Sequence, residues 1–253
     1  MPTTHVLAVA NQKGGVAKTT TVASLGAALV EQGQRVLLVD LDPQACLTFS
    51  LGIDPEDLDI SVHHVLTKGL DPVEAIIATD DGVDLLPATI ELARAEADLL
   101  TRTGREYVLR TAIEDTEGYD WVLLDCPPSL GLLTVAALTA ATGVLIPLQC
   151  ETLSHRGVGQ LLDTVHDVKR FTNRELEVWG VLPTLYDGRT NHARTVLETI
   201  SETYDLAVIE PPIPKSIRFA EAPAAGRSIL RTSRRNKGAQ AYRDLATGLL
   251  NRA

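Results

Sequence analysis

The stretch Asn11–Thr20, NQKGGVAKTT, lies between a strand-like apolar run and a helix-like one, and it restricts this chain more than any other segment. Gly14 and Gly15 let the backbone curl without a Cβ in the way. A helix that starts directly afterwards turns its unpaired N–H groups and the positive end of its dipole into that curl. Strand, glycine loop and helix in this order make a cradle for phosphate groups. Lys18 is placed to reach the β- and γ-phosphates of a nucleotide, and the Thr19 hydroxyl to ligate Mg²⁺. The plainer reading of the same letters is a Gly-Gly turn followed by a chance Lys-Thr pair.

The remaining sequence repeats the alternation of strand and helix. Strand-length apolar runs fall at His5–Ala10, Arg35–Leu41, Val83–Pro87, Tyr119–Asp125, Gly143–Leu148, Val178–Pro183 and Leu206–Ile209. Between them, helix-length amphipathic segments cover Thr19–Gln32, Ile90–Leu99, Glu106–Glu114, Leu130–Ala141, Arg156–Phe171, Ala193–Thr203 and Gly238–Asn251. VLLVD and WVLLD are apolar throughout, the pattern of strands covered on both faces. The expected fold is therefore α/β, a mostly parallel central sheet with helices on both faces. With no internal repeat or linker, residues 1–253 are expected to form a single domain.

Composition excludes several classes. At 45% hydrophobic and 22% charged, the chain is neither disordered nor fibrous. Three cysteines, Cys46, Cys126 and Cys150, match no zinc motif and leave one unpaired under any disulfide scheme. They are expected to be small buried residues in a reducing cytoplasm. No secretory leader is recognisable, and no apolar run approaches the roughly 18 residues of a membrane span.

Three acids sit at strand ends: Asp40 and Asp42 in VLLVDLDPQ, and Asp125 in WVLLDCPPS. The carboxyl ends of central parallel strands open onto the crevice where such sheets bind ligands. Each acid alone would also serve as a helix cap.

The loop departs twice from G-x-x-x-x-G-K-[ST], with Gln12 and Ala17 at the glycine positions. What remains, Lys13-Gly14-Gly15-Val16-Ala17-Lys18-Thr19-Thr20, resembles the deviant Walker A loop of the ParA/MinD family of partition and positioning ATPases. DLDPQ resembles the family's second motif and DCPPS its Walker B and switch segment. Ile146–Glu151 is similar to its P-x-Q-x-E stretch, and Ala220-Glu221-Ala222-Pro223 to its EAPS. The resemblance covers nearly the whole chain and implies a P-loop NTPase fold, with ATP and Mg²⁺ as cofactors.

The resemblance also implies an ATP-dependent sandwich dimer in which Lys13 reaches the partner's nucleotide. Residues 13–20 would hold the phosphates, with Lys13, Lys18 and Asp42 catalytic and Asp42 orienting the attacking water. Thr19, Asp40 and Asp125 would hold the metal, Asp125 through water and Asp40 by supporting the metal shell and the loop. Pro127 and Pro128 would stiffen the switch. Pro214 and Ser216, in a segment similar to the family's IPRNVR, would lie beside the adenine, with Ser216 where asparagine is usual; a plain strand-to-helix turn suits those residues equally. Ala17 stands where the family has glycine. A positive φ there would cost about 1–2 kcal/mol, a helical φ almost nothing.

The formal charge is −10, yet residues 213–253 carry nine bases against Glu221 and Asp244. A basic end can bind a polyanion locally despite an acidic total. Arg189 and Arg218 match family positions implicated in non-specific DNA binding, and Arg231, Arg234, Arg235 and Lys237 would extend that surface; a solvated helix face is the alternative. A ParB-like protein that stimulates slow hydrolysis is the implied partner, and nucleoid association the implied location. With strand-like sequence already at residue 5, no operator-reading extension is expected. A MinD-like membrane cycle would need a basic amphipathic helix beyond the final one, which holds only Arg243 and Arg252. A dimer-bridging iron–sulfur cluster would need cysteines in a context that Cys126 and Cys150 lack.

Overall fold

Strands that are apolar at every position have to be covered on both faces, and the computed structural model covers them. It describes residues 4–151, 154–189 and 191–252. In chain order the elements are β1 (His5–Val9), α1 (Lys18–Glu31), β2 (Val36–Asp40), α2 (Cys46–Ser50), α3 (Val62–Lys68), α4 (Pro72–Ala75), β3 (Ile77–Ala78) and β4 (Asp84–Leu86). Next come α5 (Ala95–Leu99), α6 (Val108–Glu114), β5 (Trp121–Asp125), α7 (Leu132–Ala140), β6 (Gly143–Gln149), α8 (Ser154–Phe171), β7 (Glu177–Thr184) and α9 (Asn191–Tyr204). The short α10 (Arg218–Glu221) and α11 (Ile229–Thr232) precede α12 (Lys237–Leu250).

The strands form one seven-stranded sheet in the order β3-β4-β2-β5-β1-β6-β7, parallel except for β3 at one edge. Alternate residues of a strand point to opposite faces. Val6 and Ala8 of β1, Leu37 and Val39 of β2, and Val122 and Leu124 of β5 join one core, together with residues of α5–α9. Leu7, Val9, Leu38, Trp121 and Leu123 join the other, against α1, α11 and α12. The contact between α1 and the sheet is close enough that a Cβ on Gly26 would lie 2.7 Å from Leu38 Cδ2.

Three segments differ from the sequence reading. Leu206–Ile209 makes a single bridge, Val181 to Val208, rather than a strand. Ile77–Ala78, which gave no strand signal, forms the antiparallel edge. Ile90–Leu99 is also split, a 3₁₀ turn over Ile90–Arg94 preceding α5. Among the described residues no helix is long and apolar enough to cross a membrane.

Candidate phosphate-binding site

The loop from Asn11 to Ala17 joins β1, the strand next to the central β5, to α1. Gly15 has φ 74° and Ala17 φ 66°, both left-handed. Helix α1 then begins with no side-chain cap and no acid in its first turn, so its leading N–H groups are open to an anion. Neighbouring strands hold the loop in place. Asn11 Nδ2 donates to the Pro147 carbonyl (2.8 Å), and its Oδ1 accepts from the Lys13 N–H (2.9 Å). Thr184, at the end of β7, donates from Oγ1 to the Val16 carbonyl (3.0 Å). Sequence reasoning missed both anchors; Asn11 at least opens the loop, whereas Thr184 lies 168 residues from Val16 and carries no local signal.

Ala17 thus pays the left-handed cost of about 1–2 kcal/mol. Replacement by glycine removes that strain but frees the unfolded chain, returning roughly 0.4–1 kcal/mol. Ala17→Gly is expected to stabilise the protein by up to about 1 kcal/mol in denaturant titration, and a lowered midpoint would contradict the strain.

Asp40 and Asp125 are register partners on β2 and β5, both without exposed surface. Asp40 is well provided for: Oδ2 accepts from Thr48 N (2.9 Å) and Thr48 Oγ1 (2.8 Å), and Oδ1 from the Asp42 N–H (3.1 Å). Its oxygens therefore tie down α2 and the Asp42 loop. Burial nevertheless pushes its pKa up to about 6, against the Thr48 hydrogen bonds. Asp125 is different, because neither carboxylate oxygen meets a partner at hydrogen-bonding geometry. Burial first, then the Asp40 charge, raise its pKa well above the usual range, while the neighbouring Thr19 hydroxyl and Lys18 pull it down. A buried carboxylate without a partner is costly unless a cation answers it. The donor set of Asp125 and the Thr19 hydroxyl is all oxygen, which suits Mg²⁺.

Lys18 is itself buried, at 7% exposure. Desolvation lowers its pKa, opposed by the charge of Asp125 most strongly, then by Cys126 and Asp42. Its Nζ donates to the Lys13 carbonyl at 3.3 Å, inside the curl of the loop. Asp42 is half-buried, with Oδ1 accepting from the Gln44 N–H (3.0 Å).

Lys18 and Asp42 line one cleft of about 710 Å³, within the usual size of a small-molecule site. Gly14, Gly15, Ala17, Lys18, Thr19, Thr20, Asp42 and Ser216 are on its wall, with Pro128, Lys215, Ile217 and Phe219. Ile217, 72% exposed, and Phe219 supply an apolar wall that the sequence did not single out. Five of the nucleotide- and metal-site candidates are not on this wall. Val16, Asp40 and Asp125 are buried in the fold, Pro214 makes a bridge to Tyr186, and Lys13 pairs with Glu151. Cys46, expected to be buried, is exposed on the rim; Cys126 is buried and its thiol pKa is raised.

The basic end is less uniform than its composition. Asp80 and Asp81 meet Arg227 (2.6 Å) and Arg231 (3.8 Å), while Glu31 holds Arg243 (2.5 Å) with Arg234 at 4.0 Å. Arg189 forks onto Asp187 through two 2.9 Å contacts, and Arg218 pairs with Glu221 at 2.6 Å. Both arginines are more than half exposed, so these pairs are weak and open to exchange for another anion.

A parallel sheet with a lysine-bearing glycine loop at the carboxyl end of a central strand defines a P-loop NTPase fold. The family model for an AAA domain matches residues 4–178. The chromosome-partitioning ATPase Soj of Thermus thermophilus is 44% identical, over 97% of this chain and 95% of its own. The chromosome partitioning protein ParA of Caulobacter vibrioides is 40% identical, over 98% and 94%. A solved Mycobacterium smegmatis protein, described as cobyrinic acid a,c-diamide synthase with bound ADP and magnesium, superposes with a TM-score of 0.89 at 57% identity, covering 98% of this chain and 95% of that one. The chain belongs to the ParA/Soj family of partitioning ATPases.

Proposed function

We propose that residues 1–253 act as one ATPase unit that closes into an ATP-dependent sandwich dimer, binds DNA without sequence preference and positions DNA cargo. A ParB-like protein stimulates its slow hydrolysis, and the cycle runs in the cytoplasm on the nucleoid. The observation that carries this reading is the Asp125 carboxylate, buried and unanswered beside Lys18 and the open start of α1.

In this reading residues 13–20 wrap the phosphates and Lys18 neutralises the transferring one. Mg²⁺, held by the Thr19 hydroxyl and through water by Asp125, draws charge off the phosphate oxygens. Asp40 keeps the Asp42 loop in place, and Asp42 orients the attacking water. Positioning and charge neutralisation are most of what phosphoryl transfer requires. Ser216 and the apolar wall beside it take the base, with Pro214 setting the turn. Lys13 leaves Glu151 to complete the pocket of the second protomer, an exchange of one partly exposed ion pair for another anion. The closed dimer then presents Arg189 and Arg218 to DNA phosphates.

The test is DNA retention with and without ATP at two salt concentrations. Binding should need ATP and collapse with salt as counterions return. Arg218→Ala should weaken it for every sequence tried and lower the salt slope by about 1; an unchanged slope would remove Arg218 from the interface. A second reading, amide formation on a corrin carboxylate, is favoured by the description of the Mycobacterium relative. Amide product from cobyrinic acid, ATP and an ammonia donor would decide for it.

A further inference from the structure

Away from the cleft, α3 places two adjacent histidines against the 3₁₀ turn of Ile90–Arg94. His63 Nδ1 and His64 Nε2 each lie 3.9 Å from Glu91 Oε2. The two imidazoles stand edge to face, 5.4 Å apart at 87°. One ligand atom from each of the three residues falls within 4.8 Å of the others. His63 is 7% exposed, and its Nδ1 has no hydrogen-bond partner. The other nitrogen of that ring, Nε2, faces Asp98 Oδ2 at 3.3 Å.

We infer that His63, His64 and Glu91 form a binding site for one transition-metal ion of the Zn²⁺ class, with Asp98 orienting His63 from behind. The argument begins with the tautomer. A proton on Nε2, donated to Asp98, leaves the lone pair on Nδ1. That lone pair and the Glu91 carboxylate then face each other as two acceptors 3.9 Å apart, an arrangement that a cation between them makes favourable. A carboxylate on the far nitrogen of a metal-binding histidine is the usual supporting arrangement.

Zinc bonds of about 2.0–2.2 Å set tetrahedral ligand atoms roughly 3.3–3.5 Å apart, so the two Glu91 contacts need to close by about half an ångström and the two imidazole nitrogens, within 4.8 Å, by up to about 1.4 Å through rotation of the partly exposed His64. Glu91, 55% exposed, is free to make that adjustment. Its solvent side leaves the fourth position to water. Two imidazoles with one carboxylate select zinc-like ions over Mg²⁺ or Ca²⁺, which prefer all-oxygen sites. Bound there, the ion would fasten α3 to the 90–99 segment at the junction where Ser61 and Thr89 hydroxyls already meet at 3.3 Å. The competing occupant is a proton, which would make His63 an imidazolium between Glu91 and Asp98.

Chelator-treated, nucleotide-free full-length protein separates the two. Zn²⁺ titrated against a chromophoric chelator should bind at one equivalent per chain, and Co²⁺ should give the strong visible bands of a tetrahedral site. Glu91→Gln and His64→Gln should each weaken binding at least about tenfold and abolish those bands, and Asp98→Asn should weaken it by roughly tenfold. Glu91 is at the surface, so its substitution leaves the fold as control. Zn²⁺ should also raise the thermal midpoint of the wild type and not of Glu91→Gln. Absence of stoichiometric binding, or affinity unchanged in both Glu91→Gln and His64→Gln, would overturn the metal site and leave the proton as occupant.

Discussion

Lys18→Ala is expected to lower ATP affinity by roughly a hundredfold or more, the equivalent of about 3 kcal/mol for a charge-assisted contact made in a desolvated setting. The magnitude follows from position. Lys18 is buried, and desolvation pulls its pKa down even though Asp125, Cys126 and Asp42 all favour its charge. An ammonium kept in so dry a place is poorly solvated before a phosphate arrives, so the phosphate displaces little water from it. Equilibrium binding of a slowly hydrolysed ATP analogue checks the effect, with thermal unfolding alongside to show that the variant is folded. Undiminished affinity would dispose of the phosphate cradle.

Asp42→Ala is expected to keep ATP, accumulate dimer and lose about 10²–10⁴ in turnover, the range associated with a positioned proton acceptor. The structure supplies a control for local damage. Asp42 Oδ1 accepts the Gln44 N–H, so alanine also removes a turn hydrogen bond worth about 0.5–1.5 kcal/mol. Asp42→Asn keeps an acceptor oxygen for that turn without the negative charge. Equal loss in both variants, measured as phosphate release, assigns the effect to the carboxylate; recovery in Asp42→Asn would assign it to the loop. Rapid turnover in Asp42→Ala would contradict the role altogether.

Much of the sheet was legible because covered parallel strands leave a continuous apolar signature. VLLVD and WVLLD could hardly be anything else, and they place Asp40 and Asp125 at strand ends; the pairing of the two acids in register is visible only in the structure. The glycine loop was legible for the same reason, since few backbones tolerate residues 14–18 in that order. The edges were not. Ile77–Ala78 is two residues long and is recruited by β4 rather than by its own propensity. Leu206–Ile209 has strand composition but reaches only one bridge beside Gly180, whose φ of 138° and close approach to the Ala207 carbonyl interrupt regular pairing.

Partnerships between distant residues were equally invisible. Nothing local to the C-terminal arginines announces that Glu31, Asp80 and Asp81 fold against them. Nor does the sequence tell that Thr48 and the Asp42 N–H claim the two oxygens of Asp40 while those of Asp125 lack a partner at hydrogen-bonding geometry. Spacing identifies which residue types gather at strand ends; which of them is already satisfied depends on where other chain segments arrive.

The hydrogen bond from Thr184 to the Val16 carbonyl has a mechanical implication. Thr184 closes β7, and the same backbone runs on through Tyr186, whose N–H is held by the Ile213 carbonyl, to the exposed turn that carries Arg189. One strand end is therefore a shared fulcrum. A small displacement of the glycine loop would tilt the outermost strand and the surface turn hinged to it, with no relay through the helices on either face.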